Sequence, residues 1–182
     1  MNFNDRIKKI KRAIARHALY GTSAVIVHLP YGFVRMITKF FISVGLLSVV
    51  RQKRIARESL GIAFGGEKSP KEIDAIFKNC FANLGKGMME LIYFMAHPKM
   101  IRENVFFEGK EYLDQALAQG KGVIIVSAHF GNFPLMLLRL AQEGYATNAI
   151  IRSTRDEKIE EYFQRQRRSL GLHTIYSHPR IA

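Results

Sequence analysis

One histidine stands where an acid–base catalyst would be placed. The segment Gly122-Val-Ile-Ile-Val-Ser-Ala-His129-Phe-Gly131-Asn132-Phe-Pro134 carries a continuous apolar run, Val123 to Val126, straight into His129. A run of that kind predicts a buried strand, and the residues after it resume with helical spacing. An imidazole at a strand's carboxyl end, beside the amino end of a helix, can take a proton from a hydroxyl at neutral pH. Open α/β sheets bind their ligands at such junctions. Gly131 lets a ligand approach the backbone, and Asn132 is a natural N-cap. The helix end would offer free N–H groups to an oxyanion or phosphate. Arg152, just after the next apolar run, is a further candidate for a phosphate or oxyanion contact. A packed, hydrogen-bonded histidine is the competing reading of His129 from spacing alone.

The elements that must position these residues fall into three zones: 1–50, 51–102 and 103–182. The first is basic, then apolar, and predicted helical. The second predicts two polar-faced helices parted by Gly65-Gly66, the later one opened by Ser69 as N-cap and Pro70 at the first helical position. Its apolar positions Ile73, Ile76, Phe77, Cys80, Phe81 and Leu84 keep i, i+3, i+4 spacing, and Gly85 and Gly87 interrupt it or permit close packing. The third zone predicts α/β: strands at 104–108, 122–128, 147–152 and 173–176, with helices at 111–119, 133–142 and from Asp156 to Gly171. Short loops between alternating elements imply a parallel-strand-containing sheet flanked by helices.

Charge narrows the partners. The 182 residues hold 28 Lys and Arg against 15 Asp and Glu, a formal charge of +13, which suits an acidic partner. Cys80 is alone, so an intrachain disulfide and a multi-cysteine metal site are excluded. Arg6, Lys8, Lys9, Lys11, Arg12 and Arg16 precede a stretch, 17–50, whose only full charges are Arg35 and Lys39. The apolar part at 40–50 is only about half a bilayer span. This pattern predicts an interfacial anchor at the cytoplasmic face of an anionic membrane in preference to a transmembrane helix. A buried helical hairpin with a solvated basic tail is the alternative. Arg165, Arg167 and Arg168 share a helix with an apolar stripe and form either a solvated face or a site for an acidic ligand. Nucleic acid is disfavoured, because no binding motif is present and the basic residues flank apolar sequence.

Gly120-Lys-Gly122 followed by the run to His129-Phe-Gly-Asn132 resembles the catalytic block of the bacterial lipid A biosynthesis (late) acyltransferases. Arg57-Glu58-Ser-Leu60 to Phe64, Glu90 after Gly85-Lys-Gly87-Met88, and Arg152-Ser-Thr-Arg155-Asp156 match in type and order. The resemblance implies a glycerolipid acyltransferase-like α/β core behind an amino-terminal membrane-associating region, at the cytoplasmic face of the cell inner membrane. It implies transfer of an acyl group from acyl carrier protein, or an acyl-CoA equivalent, to a hydroxyl of a lipid A precursor or related lipid. His129 would be the catalytic base, Gly131, Asn132 and Arg152 would bind substrate, and neither a metal nor an organic cofactor is required.

Two departures stand against the resemblance. The family's His is followed five positions on by an acid; here that position holds Pro134. A carboxylate there would orient the imidazole and stabilise the imidazolium, which proline cannot do. Asn132, Glu90 or Asp156 are the other residues that could serve. The resemblance also implies roughly another hundred residues, so an incomplete core is expected. A catalytically silent membrane-binding relative that keeps the fold without the His/acid pair is therefore the second functional reading.

Overall fold

A computed structural model describes residues 3–154 and 156–177. The helices are α1 (Phe3–Ile26), α2 (Tyr31–Ser48), α3 (Val50–Phe64), α4 (Pro70–Ala96), α5 (Pro98–Asn104), α6 (Lys110–Leu117), α7 (Phe133–Gln142) and α8 (Glu157–Ser169). Strands β1 (Asn148–Ile151) and β2 (His173–Tyr176) complete the described elements. The chain divides into two compact units, His28–Glu90 and, together, Met1–Val27 with Leu91–Ala182.

The helical unit shows why its sequence folds locally. Gly65 takes a left-handed φ of 52° and its N–H bonds the Gly61 carbonyl, which ends α3. Ser69 and Glu72 then form a reciprocal capping box. Glu72 N–H donates to Ser69 Oγ at 3.3 Å, and Ser69 N–H donates to Glu72 Oε2 at 2.8 Å. The glycines of α4 do not break it; the helix runs through Gly85 and Gly87. They serve packing instead: a Cβ built on Gly85 would lie 2.8 Å from Ile42 Cγ1 on α2. Gly45 of α2 answers it, since a Cβ there would lie 3.3 Å from the Phe81 ring. Val34, Thr38, Ile73 and Phe77 are buried in this unit.

The other unit holds the sheet. β1 and β2 are parallel and in register from Asn148↔His173 to Ile151↔Tyr176, with α8 as the crossover between them. Asp156 caps α8 as expected, accepting from Lys158 N–H at 3.1 Å and Ile159 N–H at 3.2 Å. Glu160 is buried and joins three segments. It accepts from Thr154 N–H at 2.8 Å, from Tyr176 Oη at 3.1 Å and from Arg167. Burial pushes its carboxyl up, but the Thr154, Arg167 and Tyr176 donors outweigh that and hold it below the ordinary glutamate value. The α/β expectation thus stands in a smaller form, helix-rich with a two-stranded parallel sheet among the described residues.

Two expected strands are absent. Residues 104–108 begin in the last residue of α5 and continue as irregular chain. The Val105 carbonyl accepts from Arg139 Nε at 2.9 Å, so a side chain takes the place of a ladder partner. Residues 122–128 make no ladder either. Ile124 and Val126 are 93% and 90% exposed, whereas Val123 and Ile125 are 39% and 50% exposed. The period of two is that of a strand, but a strand also needs a neighbour to bond its backbone.

Acid titration tests the helical unit. Arg57, with Lys53 at 3.6 Å, holds the Asp74 carboxyl down at about 2. A depressed folded-state value gives stability that is present above the ordinary aspartate range near 3.9 and lost as pH falls through about 2. Arg57→Gln is expected to lower the urea midpoint in uncharged detergent at pH 6 and to approach wild type at pH 2. A difference that does not change with pH would show that the pair contributes nothing through titration.

Candidate functional site

The turn before α7 is built from three local choices. Ala128 O accepts from Phe130 N–H at 2.8 Å, folding the chain back just after the extended run. Gly131 then takes φ 59°, a left-handed value that lets the backbone reverse into the helix. Asn132 is the N-cap residue, with φ −99° and ψ 57°, but its side chain makes no cap hydrogen bond. Its carbonyl accepts from Leu135 N–H at 2.9 Å. Leu135, Leu138 and Leu140 are buried and anchor α7, so the turn rests on a fixed helix.

His129 is exposed at this turn, and its ring lies against Phe133 with centroids 4.6 Å apart and planes tilted by 56°. Among the described residues no carboxylate hydrogen-bonds or ion-pairs with the imidazole. Pro134 sits comfortably in the first turn of α7. It also lacks an N–H, and Leu135 N–H is directed to Asn132, so the helix end has fewer donors for an anion than its sequence position suggested.

The alternative acids are engaged elsewhere. Asp156 is used twice, as the α8 cap and in an ion pair with Arg16 at 3.1 Å. Glu90, in the helical unit, accepts from Tyr31 Oη at 3.0 Å and lies 3.5 Å from Lys86 Nζ. Arg152 is exposed directly after β1, and no hydrogen bond or ion pair joins it to the His129 turn. The structure therefore gathers His129, Gly131 and Asn132 on one turn and leaves Arg152 apart from them in bonding. Arg155 lies outside the described residues.

The three arginines of α8 separate into different roles. Arg167 is the partner of Glu160, with its side chain only 18% exposed, so it is part of the fold and not of an open anion site. Arg168 is exposed. Arg165 lines an open hollow with Tyr20 and Tyr162, whose rings are 5.7 Å apart. Among the described residues no three His, Cys, Asp or Glu side chains come together as a metal set. Sequence reasoning passed over an apolar cavity of about 230 Å³ bounded by Leu113, Leu117, Leu137, Val123 and Ile125. The uniformly apolar run at 123–126 gave no signal for it, because only the alternating exposure of Val123 and Ile125 against Ile124 and Val126 in the structure shows which side chains face it.

A helix-rich chain with a small parallel sheet and a histidine turn at a helix start defines a class, not a chemistry. The description "bacterial lipid A biosynthesis acyltransferase" matches residues 1–179, and the chain belongs to that family. Comparison with curated proteins and with solved structures returned no match.

The turn itself can be tested through Gly131. A Cβ there meets no atom within 4 Å, so only the left-handed backbone opposes substitution. Gly131→Ala is expected to cost about 1 kcal/mol in chemical denaturation, and Gly131→Asn less, because asparagine tolerates that conformation. Equal stability of all three proteins would show that the turn does not hold φ positive in solution.

Proposed function

We propose that this protein transfers a fatty acyl group from an acyl thioester, carried by acyl carrier protein or coenzyme A, to a hydroxyl of a lipid A precursor. Family membership over residues 1–179 carries the reading, and the accessible His129 turn supplies the base it needs. The imidazole takes the hydroxyl proton as the oxygen attacks the thioester carbonyl. The C–O bond forms, the C–S bond breaks, and the imidazolium returns its proton to the departing thiolate. Phe133 N–H and Arg152 are the donors assigned to the oxyanion or to a lipid phosphate. Gly131 gives the acceptor room, and Asn132 fixes the start of α7.

The inner membrane's cytoplasmic face is the proposed location. α2 is 18 residues, about 27 Å of helix, and is long and apolar enough to cross a bilayer by length and composition. Its exposed residues Phe33, Met36, Phe40, Val44 and Leu47 follow 3-4-4-3 spacing, a single apolar stripe. That stripe, together with the basic amino-terminal segment, favours a helix lying against anionic lipid. The second reading, a silent relative, is favoured by one observation: Pro134 stands where the pairing acid would be, and no described carboxylate replaces it on His129.

Membranes containing the chain, supplied with radiolabelled acyl carrier protein thioester and a lipid A precursor, distinguish the readings. His129→Ala is expected to lower transfer by roughly 10²–10⁴-fold. Transfer at the wild-type rate by that variant would remove His129 from the reaction. Pro134→Glu puts an acid in the first turn of α7, where the helix dipole accepts it, and is expected to raise the rate. An unchanged rate would mean the missing acid is not what limits this protein.

A further inference from the structure

The helical unit, which does not include His129, contains a cavity of about 260 Å³ between α2 and α4. Its walls are apolar: Val34, Ile42 and Met89 line it, and Thr38 spends its hydroxyl on the Val34 carbonyl at 2.7 Å. Its rim is cationic. Arg35 and Lys39 stand one turn apart on α2, and Lys86 faces them from α4. One acid is present, Glu90, held by Tyr31 and Lys86. Arg35 and Lys39 have no ion-pair partner among the described residues, and like charges four apart on a helix repel.

From this we infer a binding site for a single-chain anionic amphiphile bearing a phosphate monoester. The cavity, at about 260 Å³, has room for part of an acyl chain, and a single-chain ligand is the smallest that carries both an apolar tail and the anionic head. Three cations against one carboxylate leave two net positive charges at the mouth, matching the charge of a phosphate monoester near neutral pH. Arg35 supplies paired N–H donors to the phosphate, and Lys39 and Lys86 act as flexible point charges. The apolar wall binds the chain next to the head group, so neither half of the ligand suffices alone. The exposed apolar stripe of α2 lies on other positions of that helix, Phe33, Met36, Phe40, Val44 and Leu47, and is a separate surface.

The test uses the full chain in an uncharged maltoside detergent and a photoactivatable dodecyl phosphate with its diazirine on the chain. Labelling is expected in peptides from α2 and α4, to be competed by unlabelled dodecyl phosphate, and to persist in His129→Ala. Arg35→Gln with Lys39→Gln, both exposed positions, is expected to reduce it at least tenfold with the helical circular dichroism unchanged. Lys71→Gln with Lys78→Gln, exposed on α4 outside the cavity lining, removes the same charge and is expected to leave labelling intact. Equal loss in the two double variants would overturn the site in favour of general attraction by a basic protein. Equal labelling by a maltoside-headed probe would reduce it to an apolar groove. Competition by inorganic phosphate at the same concentration would reduce it to a free-anion site. Labelling confined to other peptides would refute it outright.

Discussion

The Glu160 carboxylate ties the two strands of the sheet to the helix that crosses between them. A buried charge is costly unless each of its lone pairs is satisfied, and here the donors come from three places in the chain. Thr154 follows β1, Arg167 lies on the same helix two turns on, and Tyr176 ends β2. A carboxylate so placed ties the crossover helix to both strands and selects one register for them. β1 and β2 are four residues each, too short to specify a pairing by backbone bonds alone. Asp156 extends the same arrangement, capping α8 and reaching Arg16 in α1.

Charge is handled differently in the helical unit. Asp74 gathers Arg57 and Lys53 near the surface, while Arg35, Lys39 and Lys86 are left around a cavity with a single acid. α2 and α4 approach closely at Gly45 and Gly85, next to the cavity that Ile42 lines. A protein with a net charge of +13 thus spends some cations on structure and leaves others without an ion-pair partner among the described residues. Arg167 and Arg35 look alike in sequence, and the difference between them is whether a carboxylate is folded against them.

Local signals were readable. The Ser69-Pro70 start of α4, the Asp156 cap of α8, the span of α7 and the strands at 148–151 and 173–176 all follow from residue types within a few positions. Caps and turns work over that range because the hydrogen bonds involved are local. The apolar runs at 104–108 and 122–128 misled because a strand is defined by a neighbour as well as by its own pattern. Val105 met the Arg139 side chain, and Ile124 and Val126 met solvent.

By itself the sequence allowed the histidine turn, since Gly131 can take a positive φ without strain and Pro134 fixes its own φ at a helical value, and it carried the family pattern from residue 1 to 179. Only the tertiary structure decided which charged side chains are committed. It engaged Asp156, Glu90 and Arg167 in the fold and left His129, Arg152, Arg35 and Lys39 outside such pairing among the described residues. The physical reason is distance: a φ angle is a property of one residue, whereas an ion pair such as Arg16 with Asp156 joins residues 140 apart in the chain.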